Sequence, residues 1–137
     1  MDVLERAMAR LRDELYDLSD RRFPGLRARH YRLLSRLPDG GERLSRLAAA
    51  SGLSKQALSQ TLAPLQDGGY VEVVPDPHDR RARVLRLTVR GREVNAAVRA
   101  RLAAVEEEWA ARVGPERYGT ARAVFSEVSA DVPGGGR

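Results

Sequence analysis

Residues 44–91 constrain this chain most, because three periodicities follow one another there without a gap. An apolar run around Leu47 and Ala48 reads as a short helix, with Ser45 placed to cap it and Gly52 where it must stop. Ser54 then stands as the N-cap of a second helix, whose Leu58, Thr61, Leu62 and Leu65 fall at the spacing of one buried face. There is no capping box, since Ala57 takes the third helical position. Pro64 falls inside this helix and reads as a structural kink. Gly68-Gly69 ends it, and the pattern switches to period two: Tyr70 to Val74 and Arg83 to Leu87 alternate as strands do. Asp76 to Ala82 joins them, with Pro75 and Pro77 assigned to the hairpin tip, where a missing backbone donor is harmless. Two short helices and a hairpin in this order define a small, mostly helical module.

The polar residues of the module suggest a partner. Opposite the apolar face of the second helix lie Lys55, Gln56, Ser59 and Gln60, with Ser54 at its start. These are compact donors and acceptors able to reach base edges and phosphates from a helix N-terminus. Arg80, Arg81 and Arg83 cluster at the hairpin tip, with Asp79 close enough to orient a guanidinium. An arginine loop of this kind suits the minor groove of narrow A·T-rich duplex. A polar helix face or a basic turn alone is ordinary solvated surface; their succession is what points to duplex DNA.

At these residues the chain resembles the multiple-antibiotic-resistance regulator (MarR) family of winged-helix transcription factors. The resemblance rests on Arg43-Leu44-Ser45-Arg46-Leu47-Ala48, Gly52-Leu53-Ser54 and Leu65 to Val71. Its most specific piece is Asp76-Pro77-His78-Asp79-Arg80-Arg81, followed by Leu87-Thr88-Val89-Arg90-Gly91. In the family signature an aspartate orients the wing arginines, and Asp79 and Arg81 match it; some members carry arginine where this chain has His78. The resemblance is strong over about residues 43–93 and is extended by helical flanks. It implies a winged helix-turn-helix with N- and C-terminal dimerisation helices, binding double-stranded DNA at a near-palindromic operator. It further implies a repressor released by a small amphipathic or phenolic effector.

The flanks fit that plan. Leu4, Ala7, Leu11, Leu15 and Leu18 form one apolar stripe near the N-terminus. Leu26, Leu33, Leu34 and Leu37 line a second helix before Pro38-Asp39-Gly40-Gly41. Thr88 can cap a long helix striped by Val94, Val98, Leu102, Val105, Trp109 and Val113. After Gly114-Pro115 a last helix offers Tyr118, Ala121, Phe125 and Val128. A small lobe cannot cover the two terminal stripes alone; pairing across a two-fold axis would bury them, as the resemblance implies, and the alternative is that both helices fold back onto their own subunit. The expected organisation is a single domain over 1–137: dimerisation helices at about 1–22 and 89–132, a DNA-binding lobe at about 26–88, and a flexible tail at 133–137. The resemblance implies an effector cavity between the dimerisation helices and the lobe; Tyr16, Phe23, His30 and Trp109 are its candidate lining, although residues of these types in such positions are more often core or interface fillers than ligand contacts.

Composition narrows the alternatives. The 137 residues carry 24 basic and 19 acidic side chains, a net charge of +5, so polyanions are the favoured partners. The charge is segregated: residues 21–36 hold Arg21, Arg22, Arg27, Arg29, Arg32 and Arg36 and no acid. Lys55 is the only lysine, a bias expected of a GC-rich genome rather than of DNA reading. With no cysteine there is neither disulfide nor thiol switch. His30 and His78 lie far apart, which argues against a metal site and against a nucleophile–histidine–acid arrangement, and no phosphate-cradling glycine loop is visible. No cofactor and no catalysis are therefore expected. The absence of a signal peptide or long apolar run leads to the expectation of a cytoplasmic protein without membrane contact. The rival reading is a winged-helix protein-interaction module without specific DNA binding, but such a docking surface should be more apolar than the Lys55–Gln60 face.

Overall fold

A computed structural model describes residues 2–130, which fall into two compact units, one running to Ala100 and the other starting at Arg101. The expected tail at 133–137, and residues 131–132, where the last helix is expected to end, lie outside the described residues. The first unit contains α1 (Val3–Arg22), α2 (Ala28–Arg36), β1 (Glu42–Arg43), α3 (Leu44–Ser51), α4 (Lys55–Asp67), β2 (Val71–Pro75), β3 (Arg83–Leu87) and the start of α5 (Val89–Val113). The second holds the remainder of α5 and α6 (Pro115–Ala130). This is the mostly helical architecture with a small antiparallel sheet that the pattern predicts. Among the described residues no helix is long and apolar enough to cross a membrane.

The core of the first unit gathers one face from each element. Leu34 of α2, Leu65 of α4, Leu85 of β3 and Val94 of α5 are fully buried, joined by Leu58, Leu62, Val71 and Leu87. Leu15 and Leu18 of α1 pack against this cluster, as do Leu44, Leu47 and Ala48 of α3. Leu26 and Leu37 are buried as expected, although both lie just outside α2 rather than within it. Asn95 of α5 ties the layers together by donating to the Leu34 carbonyl at 2.9 Å.

Local chemistry fixes the ends of the elements. Ser54 caps α4 by accepting from the Ala57 amide at 3.1 Å, and Gly52 closes α3 with φ of +66°. The end of α4 is a Schellman motif: the Tyr70 amide donates to the Leu65 carbonyl and the Gly69 amide to Gln66, with Gly69 at φ +72°. Leu65 and Tyr70, the residues whose backbones meet there, are both buried. α4 continues through Pro64. The Thr88 hydroxyl accepts from the Gly91 amide at 3.1 Å and so caps α5.

Three details differ from the sequence reading. α3 begins at Leu44, so Ser45 lies inside the helix and the N-cap position belongs to Arg43, which makes no side-chain cap bond. The helix starts early because the preceding residues are already held in a strand: β1 pairs with β3, Arg43 opposite Val84, giving sheet order β1-β3-β2. Pro75 belongs to β2, opposite Arg83, rather than to the tip. β2 is an edge strand, where proline's missing N–H is tolerated.

In the second unit, Gly114 and Pro115 turn the chain between α5 and α6, and the Trp109 and Tyr118 rings meet edge to face at 6.4 Å. Arg122 pairs with Glu106 at 3.4 Å. Valines 124 and 128 and Phe125 on α6 are exposed, as are Val3, Leu4 and Met8 on α1.

Candidate nucleic-acid interface

The burial of Leu58, Leu62 and Leu65 turns the other side of α4 outward. Ser54, Lys55, Gln56, Ser59 and Gln60 are all exposed, so the structure brings the five candidates together on the first two turns of one helix. Thr61 is spoken for: its hydroxyl donates to the Ala57 carbonyl at 3.1 Å. A face of this kind presents amide, hydroxyl and ammonium groups at the positive end of a helix dipole, where anions are favoured.

The second basic feature is the loop from Asp76 to Ala82. Its backbone is closed by Asp76 donating to the Ala82 carbonyl at 3.0 Å and Ala82 donating to the Asp79 carbonyl at 2.9 Å. Arg80, Arg81 and Arg83 are exposed, and among the described residues none of the three enters an ion pair. The Asp79 carboxylate accepts from the Arg81 backbone amide at 3.1 Å, so it holds that residue's main chain rather than a guanidinium.

The aspartate that does take a guanidinium is Asp76, which sequence reasoning left without a role. Its Oδ2 accepts from Arg43 Nε at 2.6 Å, and its Oδ1 accepts from the His78 amide at 2.8 Å. The His78 amide holds the Asp76 carboxyl below the usual carboxylate range, against an opposing effect of burial, and Arg43 adds to the lowering. The sequence signal was the Asp-Pro pair at the strand end, but its cationic partner lies 33 residues earlier.

The four effector candidates occupy different settings. The Tyr16 ring lies under Arg27, whose guanidinium carbon is 5.3 Å from the ring centroid. Phe23 is a core residue, edge-on to Tyr70 at 6.2 Å. His30 is fully buried; its Nδ1 accepts from the Arg27 amide at 2.9 Å, and its Nε2 has no partner. Burial, then Arg29 and Arg27, lower its pKa below the ordinary histidine value. Trp109 belongs to the second unit and packs on Tyr118. A cleft of about 790 Å³ beside the sheet and one of about 500 Å³ on α6 are lined by none of the four. Among the described residues no three His, Cys, Asp or Glu side chains gather as metal ligands would.

Residues 25–82 match the family model of the MarR family. No curated protein matches the chain by sequence. Among solved structures, the chain is similar to a transcriptional regulator of Thermotoga maritima, at 25% identity over 93% of this chain and 89% of that one, with a TM-score of 0.68. FabT of Streptococcus pneumoniae, solved in complex with DNA, is 18% identical over 92% of this chain and 89% of its own, with a TM-score of 0.73. CouR of Rhodococcus jostii RHA1, solved with p-coumaroyl-CoA, is 19% identical over 92% of this chain and 88% of its own, with a TM-score of 0.63. These last two likenesses bear on the fold, and the family match runs from before α2 through α4, β2 and the loop carrying Arg80 and Arg81, ending before Arg83 and β3. Over residues 25–82 this chain is thus similar to the MarR family, and its overall fold is similar to that of solved transcriptional regulators.

Proposed function

We propose that this chain is a sequence-specific, duplex-DNA-binding transcriptional regulator, acting in the cytoplasm as a homodimeric repressor that a small amphipathic or phenolic ligand releases. The observation that carries the reading is the pairing of two outward features on one unit. The α4 face of Ser54, Lys55, Gln56, Ser59 and Gln60 is free of packing duties, and the hairpin beside it offers Arg80, Arg81 and Arg83 without acidic partners. In this reading α4 enters a major groove and the hairpin tip follows the adjacent minor groove. Solved relatives of the same fold have been captured on DNA, FabT and CouR among them, and CouR also with a CoA ester.

Assembly into a dimer is supported by the exposed apolar residues of α1 and α6, which a single chain leaves in water. A two-fold dimer would present two copies of α4 about 34 Å apart, one turn of duplex. The effector reading rests on the family resemblance, with Tyr16, Phe23, His30 and Trp109 as the candidate residues.

Selection from a random duplex library tests the central claim. The expected product is an inverted repeat with half-sites about one turn apart. Binding of every duplex alike would replace the regulator with a non-specific binder, and binding of none would favour a protein-interaction module.

A further inference from the structure

Asp76 commits every polar group it has. Its amide donates to Ala82 at 3.0 Å and its carbonyl accepts from Asp79 at 3.3 Å. Its carboxylate takes the His78 amide on one oxygen and the Arg43 guanidinium on the other, with the side chain only 8% exposed. Three of these bonds shape the wing loop; the fourth leaves it altogether. Arg43 is the last residue of β1 and stands at the N-cap position of α3, so it belongs to the helix-turn-helix.

The bond also crosses a gap. A cleft of about 790 Å³ lies between the β1–α3 junction and the loop end of the wing, with Arg43, Asp76, His78, Val84 and Arg86 on its walls. Side-chain packing does not fill that space. The ladder of β1 on β3 is two residues long, and the packing of α3 and Gly41 against β3 holds the base of the strand rather than the loop. One charge-assisted hydrogen bond, a strong and directional type, therefore spans a place where the wing could otherwise tilt.

We propose that Arg43 and Asp76 are positioning residues: their pair sets where the arginine tip stands relative to α4, and duplex affinity depends on it although neither side chain has to touch DNA. The proposal rests on the DNA-binding reading, and its test is built to separate the two.

The chain has no cysteine, so Arg80→Cys with Gln66→Cys places spin labels at the wing tip and late in α4 without further changes. Electron–electron distance measurement, with labelled protein diluted in unlabelled protein, should give one narrow distribution in the parent. Asp76→Asn and Arg43→Gln should each at least double its width, with circular dichroism unchanged, and Arg43→Lys should restore part of the order. Arg43→Gln is the decisive variant, since it leaves the wing's own three bonds to Asp76 in place and removes a half-exposed side chain. Without labels, the same variants should bind the selected duplex about tenfold more weakly, the scale of one such bond. A folded Arg43→Gln protein with a distribution as narrow as the parent's would overturn the clamp. A broadened distribution with unchanged affinity would equally overturn its link to DNA. If the parent selects no duplex, the regulator reading falls, and the label distances alone decide whether the pair holds the wing.

Discussion

Gly91, in the first turn of α5, sits so close to the Tyr70 carbonyl oxygen that any Cβ at that position would collide with it. The same carbonyl accepts from the Thr88 amide at 3.1 Å, and the Thr88 hydroxyl donates to the Gly69 carbonyl at 2.6 Å. Arg90 adds its guanidinium over the Tyr70 ring, 4.7 Å from the centroid. The end of α4, the root of the wing and the start of α5 thus meet at one backbone crossing.

Gly91→Ala should destabilise the protein by about 1–3 kcal/mol, because the obstacle is backbone and cannot swing aside. Gly119, inside α6 with nothing near its would-be Cβ, should behave in the opposite sense. There alanine should stabilise by about 0.5–1 kcal/mol through helix propensity alone. Denaturant titration of the two variants checks the signs; equal effects would mean that the crossing at Tyr70 is looser than described.

The wing arginines should show themselves through salt. For Arg81→Ala, log affinity should fall less steeply with log salt, by about 0.9 for each phosphate charge no longer neutralised. Asp79 acts on the Arg81 main chain, and its two variants should therefore part company. Asp79→Asn keeps an acceptor oxygen and should bind DNA at least as well as the parent, whereas Asp79→Ala should bind more weakly. A loss as large in Asp79→Asn would point to the charge instead.

On α4, Gln56→Ala and Gln60→Ala should relax preference at particular base positions rather than weaken all binding alike. A good bidentate contact to a base is worth about 1–3 kcal/mol of discrimination. Repeating the library selection with each variant would read this directly as a flattened position in the recovered motif.

Acid should weaken the fold through His30. Its pKa is lowered by burial and by Arg29 and Arg27, so the unfolded chain takes up a proton more readily than the folded one. The contribution of this residue is fully present above the ordinary value of 6.5 and is lost as pH falls through the lowered one. His30→Gln, which cannot titrate, should flatten the fall in melting temperature just below pH 6.5, before carboxylates begin to protonate. An unchanged profile would locate the acid sensitivity elsewhere.

Phe125 is 54% exposed on α6, an unfavourable place for a phenyl ring in a lone chain. Phe125→Glu should leave melting of the first unit intact, shift sedimentation from dimer toward monomer, and lower operator affinity with it. A parent that is monomeric at micromolar concentration and still fully competent for DNA would remove the dimer from the proposal.

Elements with several turns or several alternations were legible in the sequence. α4 announces itself through Ser54, Leu58, Leu62 and Leu65, and β2 and β3 through period two. β1 has two residues and therefore no period; only its pairing with β3 defines it, and that pairing moves the start of α3 from Ser45 to Leu44. The site shows the same division. The polar face of α4 and the arginine tip follow from local pattern, since burying one side exposes the other. Which of two aspartates, three positions apart in one loop, receives a guanidinium depends on Arg43, and no local pattern carries that information. Pro75 could be read either as strand end or as turn, and the edge location of β2 decides it.

The wing is fastened at both ends, by Thr88 to Gly69 and Tyr70 at its root and by Asp76 to Arg43 toward its tip. Between these points each five-residue strand spans about 17 Å at about 3.4 Å per residue. A beam held at both ends resists rotation at either one. With the Arg43 end free, turning the first turn of α5 by about 5° would carry the far end of such a strand about 1.5 Å, comparable to half a hydrogen-bond length. The Arg43–Asp76 bond thus stands against a lever whose throw is on the scale that separates a made polar contact from a broken one.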